Sequence, residues 1–239
     1  MPVTGSNQHN MNSEISTIRL TPDGFSLYDP VEGHSNYDVA PGPDFILKME
    51  ETILDKLPTD AEREKLVCEV ETTRLLLLPP DITDERLCRQ MYDMTFSAMP
   101  EEEQLITVPF EIPSGQSVQF CFGIDHALYN FLQRNYENLH FTHPITSLIK
   151  EAYNMVQGNC MVVRCNDRYM ELAVFRDKKF EFCNSYHTSH AENRTYYVMN
   201  TWKQLQLDQL NDYLLVLGGT NEGLQVRAST HRFIKHVFS

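Results

Sequence analysis

The sequence predicts an α/β fold of two similar layers, each a mixed sheet of the five-stranded type with flanking helices. Three observations support this prediction. Residues 160–217 read as three strands, an amphipathic helix and a returning buried strand. The hairpin pattern at residues 15–28 resembles the start of that series, so the N-terminal half carries a fainter copy. Finally, 239 residues with 41% hydrophobic content can bury a sizeable core.

The N-terminal layer begins with a predicted hairpin, whose turn is the run Thr21-Pro22-Asp23-Gly24 between two alternating segments. Residues 33–43 are rich in Gly, Pro, Asp and Asn, which predicts a loop. Residues 44–57 have apolar side chains at helical spacing, and Pro58 follows them, which predicts a helix. Residues 65–78 predict one long strand or two short ones before Pro79 and Pro80.

The middle of the chain alternates between helical and extended patterns. Thr83 is predicted to cap a helix through Phe96 that buries Leu87, Met91 and Met94. A later helix is predicted to begin after the capping residue Asp125. The remaining predicted elements are strands at 104–109, 117–122 and 139–141 and a helix at 145–155.

The C-terminal layer has predicted strands at 160–163, 169–174, 179–184 and 213–217. Ser189 and Glu192 match a capping box, S-x-x-E, for the helix between the last two strands. That helix is predicted to bury Val198, Trp202 and Leu205. We therefore expect a disordered tail at residues 1–13, an N-terminal subdomain at 14–157 and a C-terminal subdomain at 158–239.

Charge and cysteine content restrict the classes of function. The formal net charge is −13, of which residues 1–150 carry −14 and residues 151–239 carry +1. An acidic chain repels phosphates, so nucleic acid is not the predicted partner. No apolar run approaches the roughly 20 residues that a membrane-spanning helix needs. Six cysteines without a CxxC pair, and a polar N-terminus, predict free thiols, no secretory signal and a cytoplasmic protein.

Four segments of the chain resemble a known family. The segments TYYVMNTWKQLQLDQLNDYLLVLGG and VVRCNDRYMELAVFRDKKFEFCNSY are similar to an uncharacterised bacterial family grouped with the actin-like ATPase superfamily. STIRLTPDGFSLYDP and FCFGIDHALYNFLQRNYENLHFTHPITSLI extend the resemblance over most of the chain. It implies two ribonuclease-H-like, or actin-like, subdomains near the pilus-assembly and cell-division relatives. It implies no substrate, because the activity of that family is not established.

The resemblance also implies where nucleotide phosphates would be held. Actin-like ATPases use two Asp-x-Gly turns, in which the acid binds the metal through water and the glycine admits the phosphate. The matching residues of the first turn are Asp23 and Gly24, which are adjacent and follow Pro22. An Asp-Gly pair is also typical of an ordinary hairpin turn. The second turn, around Asp167, has no glycine. These departures argue against ATP hydrolysis.

The third nucleotide element fits better. In the superfamily an apolar strand ends in two glycines and a small polar residue at the adenosine, and Gly218, Gly219 and Thr220 match that pattern. The glycines can equally end a buried strand. No cofactor is therefore predicted, and ATP with Mg²⁺ would bind at Asp23, Gly24, Asp167, Gly218, Gly219 and Thr220 only if the nucleotide site survives.

Other candidate sites have less support. His187 and His190 are three residues apart but have no acidic partner in the pattern, and no metal site is predicted. Cys121, Asp125 and His126 lie close in sequence, yet no base or oxyanion site can be placed for a thiol nucleophile. His143, which precedes Pro144, is predicted to be a turn or core-edge residue.

The first functional hypothesis is a non-catalytic actin-like module of the cytoplasm that acts by pairing with another protein or with itself. The acidic N-terminal half is its predicted partner surface. The alternative is a divergent ATPase or phosphotransferase that binds a Mg²⁺–nucleotide between the subdomains. A third hypothesis is a metal-independent ligand-binding module.

Overall fold

A computed structural model describes residues 16–29, 33–39, 42–57, 66–166 and 168–239. The helices are α1 (Phe45–Lys56), α2 (Glu85–Phe96), α3 (His126–Asn135), α4 (Ile145–Tyr153), α5 (Ala191–Gln204) and α6 (Asn221–Thr230). The strands are β1 (Ser16–Thr21), β2 (Gly24–Asp29), β3 (Gly33–Asp38), β4 (Leu66–Val70), β5 (Leu75–Leu78), β6 (Glu103–Glu111), β7 (Ser117–Asp125), β8 (Leu139–Thr142), β9 (Cys160–Cys165), β10 (Tyr169–Arg176), β11 (Lys179–His187), β12 (Tyr213–Leu217) and β13 (His236–Phe238).

Spatial proximity groups the described residues into two compact units. One unit contains the described residues up to Val70 together with Ala127–Thr142, and the other contains the described residues of Glu71–His126 and His143–Ser239. The chain passes between the units three times, whereas the sequence suggests a single subdomain boundary at 157/158, which stays a prediction. The predicted disordered tail at 1–13 lies outside the described residues.

The first unit contains a five-stranded sheet in the order β3-β2-β1-β4-β8. Strands β1, β2 and β3 pair antiparallel, whereas β1, β4 and β8 pair parallel. On β1, every second side chain is buried, from Ser16 through Ile18 to Leu20, because successive side chains of a strand point to opposite faces. The predicted hairpin and helix are confirmed. The predicted loop at 33–43 is wrong in part, because β3 pairs with β2 along its whole length.

The second unit contains another five-stranded mixed sheet, β11-β10-β9-β12-β13, with the same sequence of antiparallel and parallel pairs. The predicted fold of two mixed five-stranded sheets with helices is confirmed. In the core of the second unit, α5 packs against the sheet through Trp202 and Val198, and α6 packs against it through Val226. Neither α6 nor β13 was predicted from the sequence.

A three-stranded antiparallel sheet, β5-β7-β6, also belongs to the second unit. Helix α2 buries Cys88 and Tyr92 in a cluster with residues of this sheet. The sequence predicted that Leu87, Met91 and Met94 face inward. This prediction is wrong for Leu87 and Met94, which are exposed, whereas Met91 is partly buried and packs against the cluster. Asp84, not Thr83, caps the helix by accepting a hydrogen bond from the Leu87 amide.

The N-cap of α5 is His190 and no side chain bonds there, so the predicted Ser189–Glu192 capping box is wrong. Among the described residues, no helix is long and apolar enough to cross a membrane.

All six cysteines are free and buried. For five of them, burial is the largest effect on the pKa of the thiol. It raises the pKa of Cys121 from 9.0 to about 11, and the pKa of Cys160 and Cys165 to about 12. It also raises the pKa of Cys68 and Cys183. These thiols therefore stay protonated in the folded protein at neutral pH, which makes them poor nucleophiles.

The buried thiols predict a loss of stability at alkaline pH. Between pH 9 and about 11, thiols of the unfolded chain ionise while those of the folded chain stay neutral, so the free energy of unfolding decreases as pH rises. Each thiol contributes up to about 1.4 kcal/mol per pH unit in that window. Urea unfolding from pH 7 to pH 10.5 measures the slope. Cys165→Ala is expected to make the slope smaller, and an unchanged slope would contradict the explanation.

Candidate functional site

The first hairpin holds two of the predicted site residues. Pro22 and Asp23 form the turn, and Gly24 begins β2. The backbone of β3 lies against this turn, because the Asp23 carbonyl accepts a 3.1 Å hydrogen bond from the Val39 amide. A Cβ atom on Gly24 would collide with the Tyr37 carbonyl oxygen. The absence of a side chain at Gly24 therefore lets the β3 backbone pack closely against β2, which is a structural reason for a glycine at this position.

The second hairpin is closed by a side chain. The Asn166 Oδ1 atom accepts hydrogen bonds from the amides of Tyr169, at 2.6 Å, and Arg168, at 3.2 Å. The Asn166 amide itself donates to the Tyr169 carbonyl at 2.9 Å. Asparagine favours this local bonding pattern in turns. Two amides that a phosphate could use here, those of Arg168 and Tyr169, are thus already occupied. Asp167, the predicted metal-binding acid, lies outside the described residues.

Tyr169, which follows this turn, belongs to a buried polar cluster within the second unit. Its hydroxyl donates to the Thr72 carbonyl at 2.7 Å, and the Nε2 atom of His143 lies 2.9 Å from the same oxygen. The Nδ1 atom of His143 accepts a hydrogen bond from the Ile145 amide at 3.1 Å, so Nε2 must carry the proton of the neutral ring. His143 is completely buried, in contrast to the predicted turn or core-edge position.

The predicted adenosine element lies between β12 and α6. Gly218 has a φ of +80°, and no atom lies within 4 Å of the space that a side chain at Gly218 or Gly219 would occupy. Thr220 caps α6 by accepting from the Gly223 amide at 3.1 Å, and its hydroxyl donates to the Cys165 carbonyl at 2.9 Å. This backbone is open, unlike the two hairpins, and the helix start beside it is already capped by Thr220.

These observations test whether the residues present fit a Mg²⁺–nucleotide. The glycine of the first turn faces a strand, and the amides of the second turn bind Asn166. Phosphate recognition in this fold requires free backbone donors. The phosphate elements therefore do not fit the group, whereas the glycine pair at Gly218 and Gly219 leaves its backbone accessible. Within the described ranges, no three His, Cys, Asp or Glu residues cluster as metal ligands.

The thiol nucleophile considered from the sequence is not supported by its surroundings. Cys121 is completely buried in β7, and its Sγ atom lies 3.6 Å from the Thr107 hydroxyl. The raised pKa of this thiol, caused chiefly by burial, keeps it protonated. His187 ends β11 and His190 precedes α5, and both are exposed.

A buried ion pair was missed by the sequence reasoning. Glu171 on β10 is 2% exposed, and its carboxylate lies 2.7 Å from the Arg164 guanidinium on β9, where the two residues are directly opposite. Arg164 also donates to the Pro144 carbonyl, at 3.0 Å, and to the Ser147 hydroxyl, at 2.9 Å, near the start of α4. The sequence signal for this pair was the presence of the charged residues Arg164 and Glu171 inside otherwise apolar strands. The pair joins two strands and a helix, so we assign it a structural role.

The two five-stranded sheets define the class of protein, which is the actin-like fold. A protein of unknown function from Bacteroides thetaiotaomicron with an actin-like ATPase fold superposes with a TM-score of 0.76 and 20% identity, over 94% of this chain and 89% of that one. A structure of the PilM–PilN type IV pilus biogenesis complex gives a TM-score of 0.54 and 12% identity, over 95% and 88%. At these identities the similarity shows the fold alone.

The chain belongs to the family described as protein of unknown function DUF3822, which matches residues 6–237. No curated protein matches the chain. The predicted resemblance to an uncharacterised family of the actin-like superfamily is confirmed.

Proposed function

We propose that this protein is a non-catalytic, actin-like interaction module of the cytoplasm that acts through its surfaces. The observation that carries the proposal is the second hairpin, in which Asn166 occupies the amides of Arg168 and Tyr169. A phosphate would have to displace a side-chain acceptor that is covalently part of the same turn. The chain keeps the two five-stranded sheets of the fold. It does not keep the glycine-containing turns that bind phosphate in this fold.

Protein partners suit this module better than nucleic acid or a membrane core. Residues 1–150 carry a net charge of −14, which disfavours phosphate backbones and favours a basic protein surface. The similar PilM–PilN structure is a complex of two proteins, which is compatible with such a role. Six free, buried thiols support a reducing compartment such as the cytoplasm.

The second candidate function is a divergent ATPase or phosphotransferase. The open backbone at Gly218 and Gly219, next to the N-terminus of α6, is the observation that favours it. That element would contact only the adenosine part of a nucleotide. Because Asn166 occupies the Arg168 and Tyr169 amides, this turn would lack two of the donors that bind phosphates and position them for phosphoryl transfer.

A thermal-shift titration with ATP, ADP and GTP, each with and without Mg²⁺, separates the two functions. We expect no change in Tm at millimolar nucleotide. A ligand present at 100 times its Kd would stabilise the native state by about 2.7 kcal/mol, so even modest affinity is visible. A saturable, Mg²⁺-dependent rise that disappears in Asp23→Ala and Asp167→Ala would overturn the non-catalytic proposal.

A further inference from the structure

Strand β11 forms one edge of its five-stranded sheet. It pairs antiparallel with β10 on one side, and among the described residues no strand pairs with its other side. In an antiparallel pair, alternate residues direct their N–H and C=O groups away from the neighbouring strand. Such a row of backbone donors and acceptors is a template for pairing with a strand of another molecule. The contacts made along this edge therefore decide whether the chain can associate through it.

A glutamine side chain occupies the first part of this edge. The Phe180 amide donates to the Gln116 Oε1 atom at 2.8 Å, and the Gln116 Nε2 atom donates to the Phe180 carbonyl at 3.1 Å. One side-chain amide thus bonds both backbone groups of Phe180, as a residue of an added antiparallel strand would. Gln116 is 64 residues away in sequence, in the turn between β6 and β7, so the contact depends on the tertiary fold.

The β6–β7 turn holds Gln116 in the orientation that this contact needs. The Ser114 hydroxyl donates to the Gln116 Oε1 atom at 2.9 Å, so the oxygen of the amide stays on the side of its two donors. The Ile112 amide donates to the Gln116 carbonyl at 2.8 Å, which fixes the backbone of the same residue. Little side-chain freedom is therefore left to lose when Gln116 bonds Phe180.

The rest of the edge has further features that hinder pairing. The register with β10 shifts so that Glu181 is an extra residue on β11, and the Glu181 carboxylate accepts a 2.7 Å hydrogen bond from Arg176. Beyond this bulge, the Ser185 amide donates to the Asn184 Oδ1 atom at 2.8 Å. Bulges and charged side chains are devices with which natural sheets protect an edge strand. The two side-chain amides add direct occupation of the backbone groups.

We propose that Gln116 and Asn184 protect the edge of β11 from pairing with β11 of a second copy of this chain. A second copy is the occupant because every copy presents the same edge, and antiparallel pairing of a strand with itself satisfies the same groups on both copies in a closed, two-fold contact. While the two side chains are in place, pairing replaces hydrogen bonds that already exist and so gains little. The protection concerns an association that the fold prevents, so it holds whether or not the proposed function is correct.

Sedimentation velocity over roughly 1 to 100 µM protein tests the proposal with the double variant Gln116→Met/Asn184→Ala. Methionine keeps a long side chain but has no amide to bond the Phe180 backbone. We expect this variant to dimerise at least about tenfold more tightly than the wild type, because free backbone groups are then available for pairing. Gln104→Ala is the matched control. It removes a glutamine of β6 that donates to the adjacent Leu105 carbonyl, and it should behave like the wild type.

Hydrogen exchange of the Phe180 and Ser185 amides identifies the surface that associates. In the dilute, monomeric double variant both amides should exchange faster than in the wild type, and dimerisation should slow them again. A double variant that associates no more tightly than the wild type, a Gln104→Ala control that associates as tightly as the double variant, or a dimer in which both amides stay fast would each overturn the proposal. Circular dichroism melts confirm folding. Each single substitution should give part of the effect, so Gln116→Met alone tests the proposal if the double variant does not fold.

Discussion

Gly24→Ala is expected to lower the free energy of unfolding by about 3 kcal/mol, although it adds only one methyl group. The new Cβ would collide with the Tyr37 carbonyl oxygen, and that atom is backbone that β3 holds in place. Overpacking typically costs about 1 to 3 kcal/mol, and a backbone conformation that side chains rarely adopt costs about 1 to 3 kcal/mol more. Urea unfolding followed by far-UV circular dichroism measures the loss.

Gly115→Ala is the matched control for this substitution. Gly115 lies in the turn between β6 and β7 with a φ of +82°, and nothing lies within 4 Å of its missing side chain. It should lose only the conformational cost of placing an alanine at positive φ, about 1 to 2 kcal/mol. Equal losses for the two variants would show that the approach of β3 does not explain Gly24. Because both measurements are made without nucleotide, a large loss at Gly24 would support sheet packing as the reason for this glycine.

Arg164→Met is expected to cost about 3 to 5 kcal/mol, because it leaves the buried Glu171 carboxylate without its cation. Among the described residues, Arg164 is the cation that contacts the Glu171 carboxylate. Trp202, the single tryptophan of the chain, lies in the core of the same unit, so its fluorescence follows unfolding there.

The double variant Arg164→Met/Glu171→Met tests the cause of that loss. Replacing both members of a buried pair with apolar side chains of similar size is often neutral, whereas removing one is strongly destabilising. Most of the stability lost in Arg164→Met should therefore return in the double variant. If the double variant is as unstable as the single one, the contacts of Arg164 with Pro144, Ser147 and Glu151 explain the loss, and the pairing with Glu171 does not.

Local sequence signals predicted the elements whose pattern is repeated at helix or strand spacing. The Thr21–Gly24 turn between alternating segments predicted the first hairpin, and the apolar run at 160–163 predicted the central strand β9. The family resemblance and the fold were also accessible, because they depend on long segments rather than on single contacts. The hairpin and strand β9 follow from patterns within short segments, whereas the family resemblance comes from segments spread over most of the chain.

The errors fall where the pairing or packing of another segment decides the outcome. Residues 33–38 have the composition of a loop, yet they form β3 because β2 offers an unpaired edge of backbone donors and acceptors. Leu87 and Met94 of helix α2 were predicted to be buried, but the three-stranded sheet packs on Cys88 and Tyr92 and leaves these two side chains exposed. A single-sequence pattern identifies an apolar face but not the surface that covers it.

By itself, the sequence determined the two mixed sheets, most of their strands and helices, and the absence of a glycine around Asp167. Only the tertiary structure decided what the candidate residues contact. It placed the β3 backbone against Gly24, the Asn166 side chain on two amides and Glu171 opposite Arg164. The physical reason is that turn and strand propensities are local, whereas steric exclusion, hydrogen-bond satisfaction and ion pairing depend on which segments meet.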